Sequence, residues 1–123
     1  MERKKILLVD DSATALMMEK MVLSRGPYEL DTATDGEQAV EKAVAAPPDL
    51  ILLDIKMPKK DGLEALQEIR NHEATHSVPV IMVTTRGERE NVDKAFEIGC
   101  DDFVTKPING TELFSKIRDL IGG

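Results

Sequence analysis

The sequence predicts an α/β fold in which a doubly wound, five-stranded parallel sheet of order 2-1-3-4-5 carries about five helices on its two faces. Three short apolar runs, residues 6–9, 50–53 and 80–83, show no polar alternation and so read as strands buried on both faces. Segments with helical spacing separate and follow these runs. The connections are short crossovers, which demand parallel strands and right-handed turns.

The first run ends in two acids. A helix follows with Ala15, Met18 and Val22 on one side, opened by Asp11 or Ser12 as N-cap and closed at Gly26-Pro27. Residues 28–34 form a second, more polar strand suited to a sheet edge. Ala39, Val40, Ala43 and Val44 mark the next helix, which Pro47 and Pro48 stop. The third strand, 50–53, leads to a helix with Leu63 and Leu66. The fourth, 80–83, leads to one with Val92, Ala95 and Phe96. A polar fifth strand, 101–106, precedes a helix carrying Leu113, Ile117, Leu120 and Ile121. Since strands 1, 3 and 4 are wholly apolar they belong in the centre, which selects the order 2-1-3-4-5.

Composition narrows the classes. The 123 residues are one domain's worth of chain, taken as a single domain over 1–123, with 41% hydrophobic and 32% charged residues. Sixteen Lys and Arg against 23 Asp and Glu leave a net charge of −7, which repels phosphate backbones and anionic lipid and argues against direct nucleic-acid or membrane binding. Apolar runs of four residues cannot cross a bilayer, which needs about twenty. The basic start at Arg3, Lys4 and Lys5 is followed by too short an apolar stretch for a signal peptide, because Asp10 and Asp11 interrupt it. A single cysteine, Cys100, excludes an intrachain disulfide and suits a reducing compartment, so the expected address is the cytoplasm.

In open α/β sheets ligands sit outside the carboxyl ends of the strands, where strand order reverses. Strand 1 ends in Asp10-Asp11, strand 3 in Asp54, strand 4 in Thr84-Thr85 and strand 5 in Lys106-Pro107. Each has an ordinary reading alone: a helix cap, a loop acid, a β-former, a solvated cation. Together they do not, because two like charges about 4 Å apart repel by roughly 4 kcal/mol at an effective dielectric near 20. Hard oxygen ligands in an open cleft suit Mg²⁺, which leans on one or two carboxylates plus a phosphate. A lysine and a threonine hydroxyl in the same cleft supply a cation and a donor for phosphoryl oxygens. The arrangement fits phosphoryl chemistry at a carboxylate.

Over essentially its whole length the sequence resembles bacterial two-component response-regulator receiver domains, of the single-domain kind found in chemotaxis regulators. The resemblance runs through Leu7-Leu8-Val9-Asp10-Asp11-Ser12, the stretch 49–62 (DLILLDIKMPKKDG), 79–85 (PVIMVTT) and 101–107 (DDFVTKP). It implies the flavodoxin-like fold that the strand pattern selects. It implies that Asp54 accepts a phosphoryl group from the phosphohistidine of a sensor kinase or phosphotransfer protein. Asp10, Asp11, Asp54 and the backbone carbonyl of Lys56 would hold Mg²⁺, and Lys106 would bind phosphate. Thr84 is similar to the family's switch hydroxyl and Phe103 to its switch aromatic, and Pro107 would follow a cis peptide bond. The output expected is a shifted surface of helix 4, strand 5 and helix 5 that a downstream protein reads. Lys56 and Arg86 flank the acceptor and tune hydrolysis in this family; two long basic chains there predict a long-lived phosphoryl group.

Rival readings are weaker. A phosphatase with an aspartyl nucleophile would place a second acid where Ser12 stands, and a flavin carrier would need a Ser-, Thr- and Gly-rich loop where this one is acidic. A receiver-like module that docks without phosphorylation is the main alternative. The sequence is compatible with a stand-alone regulator or with the receiver of a longer one. His72 and His76 have no acid or cysteine at ligand spacing. Cys100 is expected to be a small packed side chain, and Met17, Met18 and Met21 to be core and rim filler, with contact to a phosphodonor as their second reading.

Overall fold

Strand and helix alternate without exception along the described part of the computed structural model, which covers residues 3–57, 59–85 and 87–122. The elements are β1 (Lys4–Val9), α1 (Ala13–Leu23), β2 (Tyr28–Ala33), α2 (Gly36–Ala45), β3 (Leu50–Asp54), α3 (Gly62–Asn71), β4 (Val80–Thr85), α4 (Arg89–Ile98), β5 (Asp102–Lys106) and α5 (Gly110–Ile121). All pairings are parallel and the sheet order is β2-β1-β3-β4-β5, the order predicted. β3 is buried along its length, whereas β2 alternates and β5 is mostly half-exposed, as edge strands with one wet side do.

Strand alternation splits the core into two layers. Leu7, Val9, Ile51, Leu53, Val80 and Met82 face α2, α3 and α4, meeting Ala39, Ala43, Ala65, Leu66, Ile69 and Ala95. Ile6, Leu8, Leu50, Leu52, Ile81, Val83 and Val104 face α1 and α5, meeting Leu16, Leu23, Leu113 and Ile117. Small residues on α2 let that helix lie close to the sheet.

The helices begin where capping chemistry says they should. Ser12, rather than Asp11, caps α1 by accepting from the Ala15 amide; Asp35 and Asn109 do the same for α2 and α5, and Asp61 forms a capping box with Glu64 on α3. Gly62 is required by contact rather than by φ. A β-carbon there would lie 2.1 Å from the Asp54 carbonyl oxygen, so the α3 start is pressed against the end of β3.

Two expectations about packing are corrected. The buried face of α1 is Leu16, Glu19 and Leu23, so Met17, Met18 and Met21, taken as filler, are 62%, 60% and 66% exposed, and Ala15 and Val22 are half-buried. Both stripes have helical spacing, and the one that wins carries a glutamate. Phe96, placed on the apolar stripe of its helix, is 45% exposed; it sits over β5, where the sheet ends, and meets Phe103 edge-on at 6.2 Å between ring centroids.

At the opposite end of the sheet Arg70 ties three segments together. Its guanidinium donates to the carbonyls of Gly99 (2.8 Å) and Val78 (2.7 Å) and pairs with Asp101 (3.0 Å), which also accepts from the Val80 amide (2.8 Å). Arg70→Met is expected to cost about 2 kcal/mol by stranding these acceptors, read as a lowered urea midpoint with unchanged slope. An unshifted midpoint would show that water replaces the guanidinium without loss.

Candidate functional site

The strand ends bring the predicted acids together. Asp10 follows β1 and is fully buried, Asp54 ends β3 at 6% exposure, and Asp11 is exposed on the rim. Carboxylate oxygens of all three lie within 4.8 Å of one another, and among the described residues they form the group able to hold a metal ion. Hard, charged oxygens at that spacing, one of them open to water, fit Mg²⁺. Asp10 is further fixed by accepting from the Ser12 amide at 2.9 Å, so the helix turn of α1 aims it.

Lys106, at the end of β5, supplies the internal counter-charge. Its Nζ donates to Asp10 Oδ2 at 3.0 Å and to Asp54 Oδ2 at 3.5 Å. Burial pulls its pKa down, but the hydrogen bond to Asp10 and the charges of Asp54 and Asp10 outweigh burial, and the net displacement is upward. Asp54 is pushed up to about 6, first by burial and then by Asp10, with Lys106 acting in the opposite sense. The Lys106-Pro107 peptide is cis, as expected.

Thr84 is 2% exposed, at the end of β4. By strand alternation it falls on the layer of Val80 and Met82, against which Phe103 also packs. Its hydroxyl donates to Glu88 Oε2 at 3.3 Å, with the Thr85 carbonyl a second acceptor at 3.4 Å. Thr84, Glu88, Val92, Phe96 and Phe103 line one groove between α4 and β5. Lys116 of α5 caps the Phe103 ring at 5.1 Å and donates to the Phe103 carbonyl at 2.6 Å. Lys56, its side chain exposed, is ion-paired to Glu88. Arg86 lies outside the described residues.

Two acids at the site carried no motif. Glu88 belongs to the loop after β4. Glu19, 4% exposed on α1, has an Oε1 with no hydrogen-bond partner, and burial followed by the charge of Asp10 pushes its pKa up to about 8. The signal for Glu19 was available, since it falls on the Leu16–Leu23 stripe at helical spacing. The remaining candidates are ordinary: His72 Nδ1 accepts from the Ala74 amide at 3.2 Å as α3 ends, and Cys100 is buried with its thiol pushed up to about 11, chiefly by burial.

Comparison with known proteins agrees with this geometry. Residues 6–118 match the response regulator receiver domain family. The transcriptional regulatory protein ResD of Bacillus subtilis is 41% identical over 117 residues, 95% of this chain and 48% of the relative; PhoP, the alkaline phosphatase synthesis transcriptional regulatory protein of the same organism, is 36% identical over 118 residues, 96% of this chain and 48% of the relative. The chain thus spans about half the length of these curated relatives. Among solved structures, chemotaxis protein CheY4 of Vibrio cholerae superimposes with TM-score 0.89 at 30% identity, over 97% of this chain and 99% of that one. The receiver domain of a sensor histidine kinase from Pseudomonas aeruginosa, with a magnesium ion coordinated in its active-site cleft, gives TM-score 0.91 at 30% identity over 99% and 100%. With four sequence motifs converging on one cleft and the family match covering most of the chain, this protein belongs to the receiver domains of two-component response regulators.

Proposed function

We propose that Asp54 is the phosphoacceptor of a phosphorelay, taking a phosphoryl group from a phosphohistidine on a sensor kinase or phosphotransfer protein. The observation that carries this is the placement of a nearly buried carboxylate among two further acids with a lysine ammonium bridging Asp10 and Asp54. An Asp54 oxygen forms a bond to phosphorus as the bond from phosphorus to the donor nitrogen breaks, and the electron pair leaves with that nitrogen. Lys106 offsets charge on the phosphoryl oxygens, so the chain's contribution is positioning and electrostatics. Asp10, Asp11, Asp54 and the Lys56 carbonyl would hold Mg²⁺, which when bound adds positive charge beside the same oxygens.

The aspartyl phosphate brings nearly two negative charges at neutral pH and draws the Thr84 hydroxyl and Lys106 toward it. The groove shared by Thr84 and Phe103 gives the aromatic room to follow, and the α4, β5 and α5 surface is the output that a partner protein reads. The net charge of −7 favours a protein over a nucleic acid as that partner, and no described helix is long and apolar enough to cross a membrane. Lys56 and Arg86 are proposed to shield the phosphoryl group from water.

Incubation with acetyl phosphate, with and without Mg²⁺, followed by intact mass tests the reading. One added phosphoryl group that requires Mg²⁺ and is lost in Asp54→Ala is expected, with slower decay in the parent than in Lys56→Asn. An adduct indifferent to Asp54, or none, would favour a module that docks without phosphorylation.

A further inference from the structure

Glu88 occupies the N-cap of α4, yet its side chain makes no cap hydrogen bond, unlike Ser12, Asp35, Asp61 and Asn109 at the other four helices. The carboxylate turns back over the carboxyl end of the sheet instead. One oxygen accepts from the Thr84 hydroxyl and the other is ion-paired to Lys56, so a single side chain joins the β4 end to the loop after β3. Its side chain is 18% exposed, and the Lys56 hydrogen bond, against the opposing effect of burial, holds its pKa below the usual carboxylate range. Glu88 is therefore charged at neutral pH.

A hydroxyl has one proton to donate. While Thr84 gives it to Glu88, it cannot give it to an oxygen on phosphorylated Asp54. We infer that Glu88 and Lys56 form a latch that holds the Thr84 hydroxyl turned away from the acceptor in the unphosphorylated protein. The inference rests on the reading of Asp54 as phosphoacceptor. A phosphoryl group opens the latch from both ends: its oxygens compete for the Thr84 proton, and its charge attracts Lys56 while repelling Glu88. At 3.3 Å the Thr84 bond is long for a hydroxyl donor, so it yields readily. Glu88 is thus a positioning residue that sets how much of the unphosphorylated population has Thr84 free.

The test is a double-mutant cycle with acetyl phosphate and Mg²⁺, comparing parent, Glu88→Gln, Thr84→Val and the double variant by intact mass over time. Glu88→Gln is expected to be phosphorylated roughly two- to fivefold faster, the scale of one partly exposed ion pair, and the gain should vanish in the Thr84→Val background. A gain of equal size without the hydroxyl would come from removing negative charge near an anionic donor and would overturn the latch, as would no gain. A second readout needs no phosphorylation. Three-bond couplings to the Thr84 methyl, which report its χ1 rotamer, should change in Glu88→Gln and in Lys56→Met; unchanged couplings overturn the latch. If the parent takes up no phosphoryl group, the Asp54 reading fails, and the Thr84 rotamer alone then decides whether Glu88 holds the hydroxyl.

Discussion

Replacing Lys106 with methionine is expected to slow phosphorylation of Asp54 by about a hundredfold, the scale of losing one preorganised charge donor at a reacting group. The same change should destabilise the metal-free protein. Lys106 Nζ lies 3.0 Å from fully buried Asp10 and 3.5 Å from nearly buried Asp54. Its charge also lowers the pKa of both Asp54 and Glu19. Without it, three acids face one another with no cation, and removing one partner of a buried pair costs more than the pair's net worth. With a third of the lysine side chain open to solvent, a loss of about 2 to 3 kcal/mol follows. Because Asp54 and Glu19, whose upward shifts Lys106 opposes, can take up protons, the loss should be smaller at pH 5 than at pH 8. Melting in chelator at both values and the acetyl phosphate time course check the two parts. A rate within roughly threefold of the parent would remove Lys106 from the reaction.

How much of this was legible depended on whether a feature was local. The strand order followed from which runs were continuously apolar, and the structure agrees because β1, β3 and β4 are covered on both faces while β2 and β5 are not. The cleft residues were legible because each stands immediately after or at the end of a strand, and parallel topology gathers those ends on one edge. Glu88 was not, since its role exists only where the loops after β3 and β4 meet; nothing in the order of residues relates it to Lys56. The α1 face was misread for a different reason. Two stripes at the same spacing compete on that helix, and hydropathy prefers Ala15, Met18 and Val22 to a stripe containing Glu19. Hydropathy assumes a charged glutamate. Burial and the nearby carboxylate of Asp10 favour its neutral form, which removes the main cost of placing it inside.

Glu19→Gln should therefore stabilise the protein in a strongly pH-dependent way, with a gain of about 3 kcal/mol at pH 8.5 and little or none near pH 4.5. The groups that set the Glu19 pKa are Asp10 and Asp54, which raise it, and Lys106, which lowers it; burial is the largest cause. The folded value of about 8 lies above the ordinary glutamate value of 4.5 that stands for the unfolded chain. Between those values the folded protein keeps a proton that the unfolded chain has released, so stability contributed by Glu19 is fully present below pH 4.5 and is lost as pH rises toward 8. At about 1.36 kcal/mol per pH unit the ceiling is about 5 kcal/mol, and water entry or side-chain rearrangement around the unpartnered Oε1 brings the expected figure down. Glutamine keeps the shape and cannot ionise. The comparison isolates one residue, because Asp54, pushed up to about 6, titrates in both proteins. Urea unfolding of parent and variant in chelator across pH 4.5 to 8.5 checks it. Parallel stability curves would mean that Glu19 titrates alike folded and unfolded, and that its carboxyl finds solvent or a cation when charged; curves that separate progressively from about pH 4.5 toward pH 8 would establish a fourth acid, neutral at rest, behind the Lys106 side of the cleft.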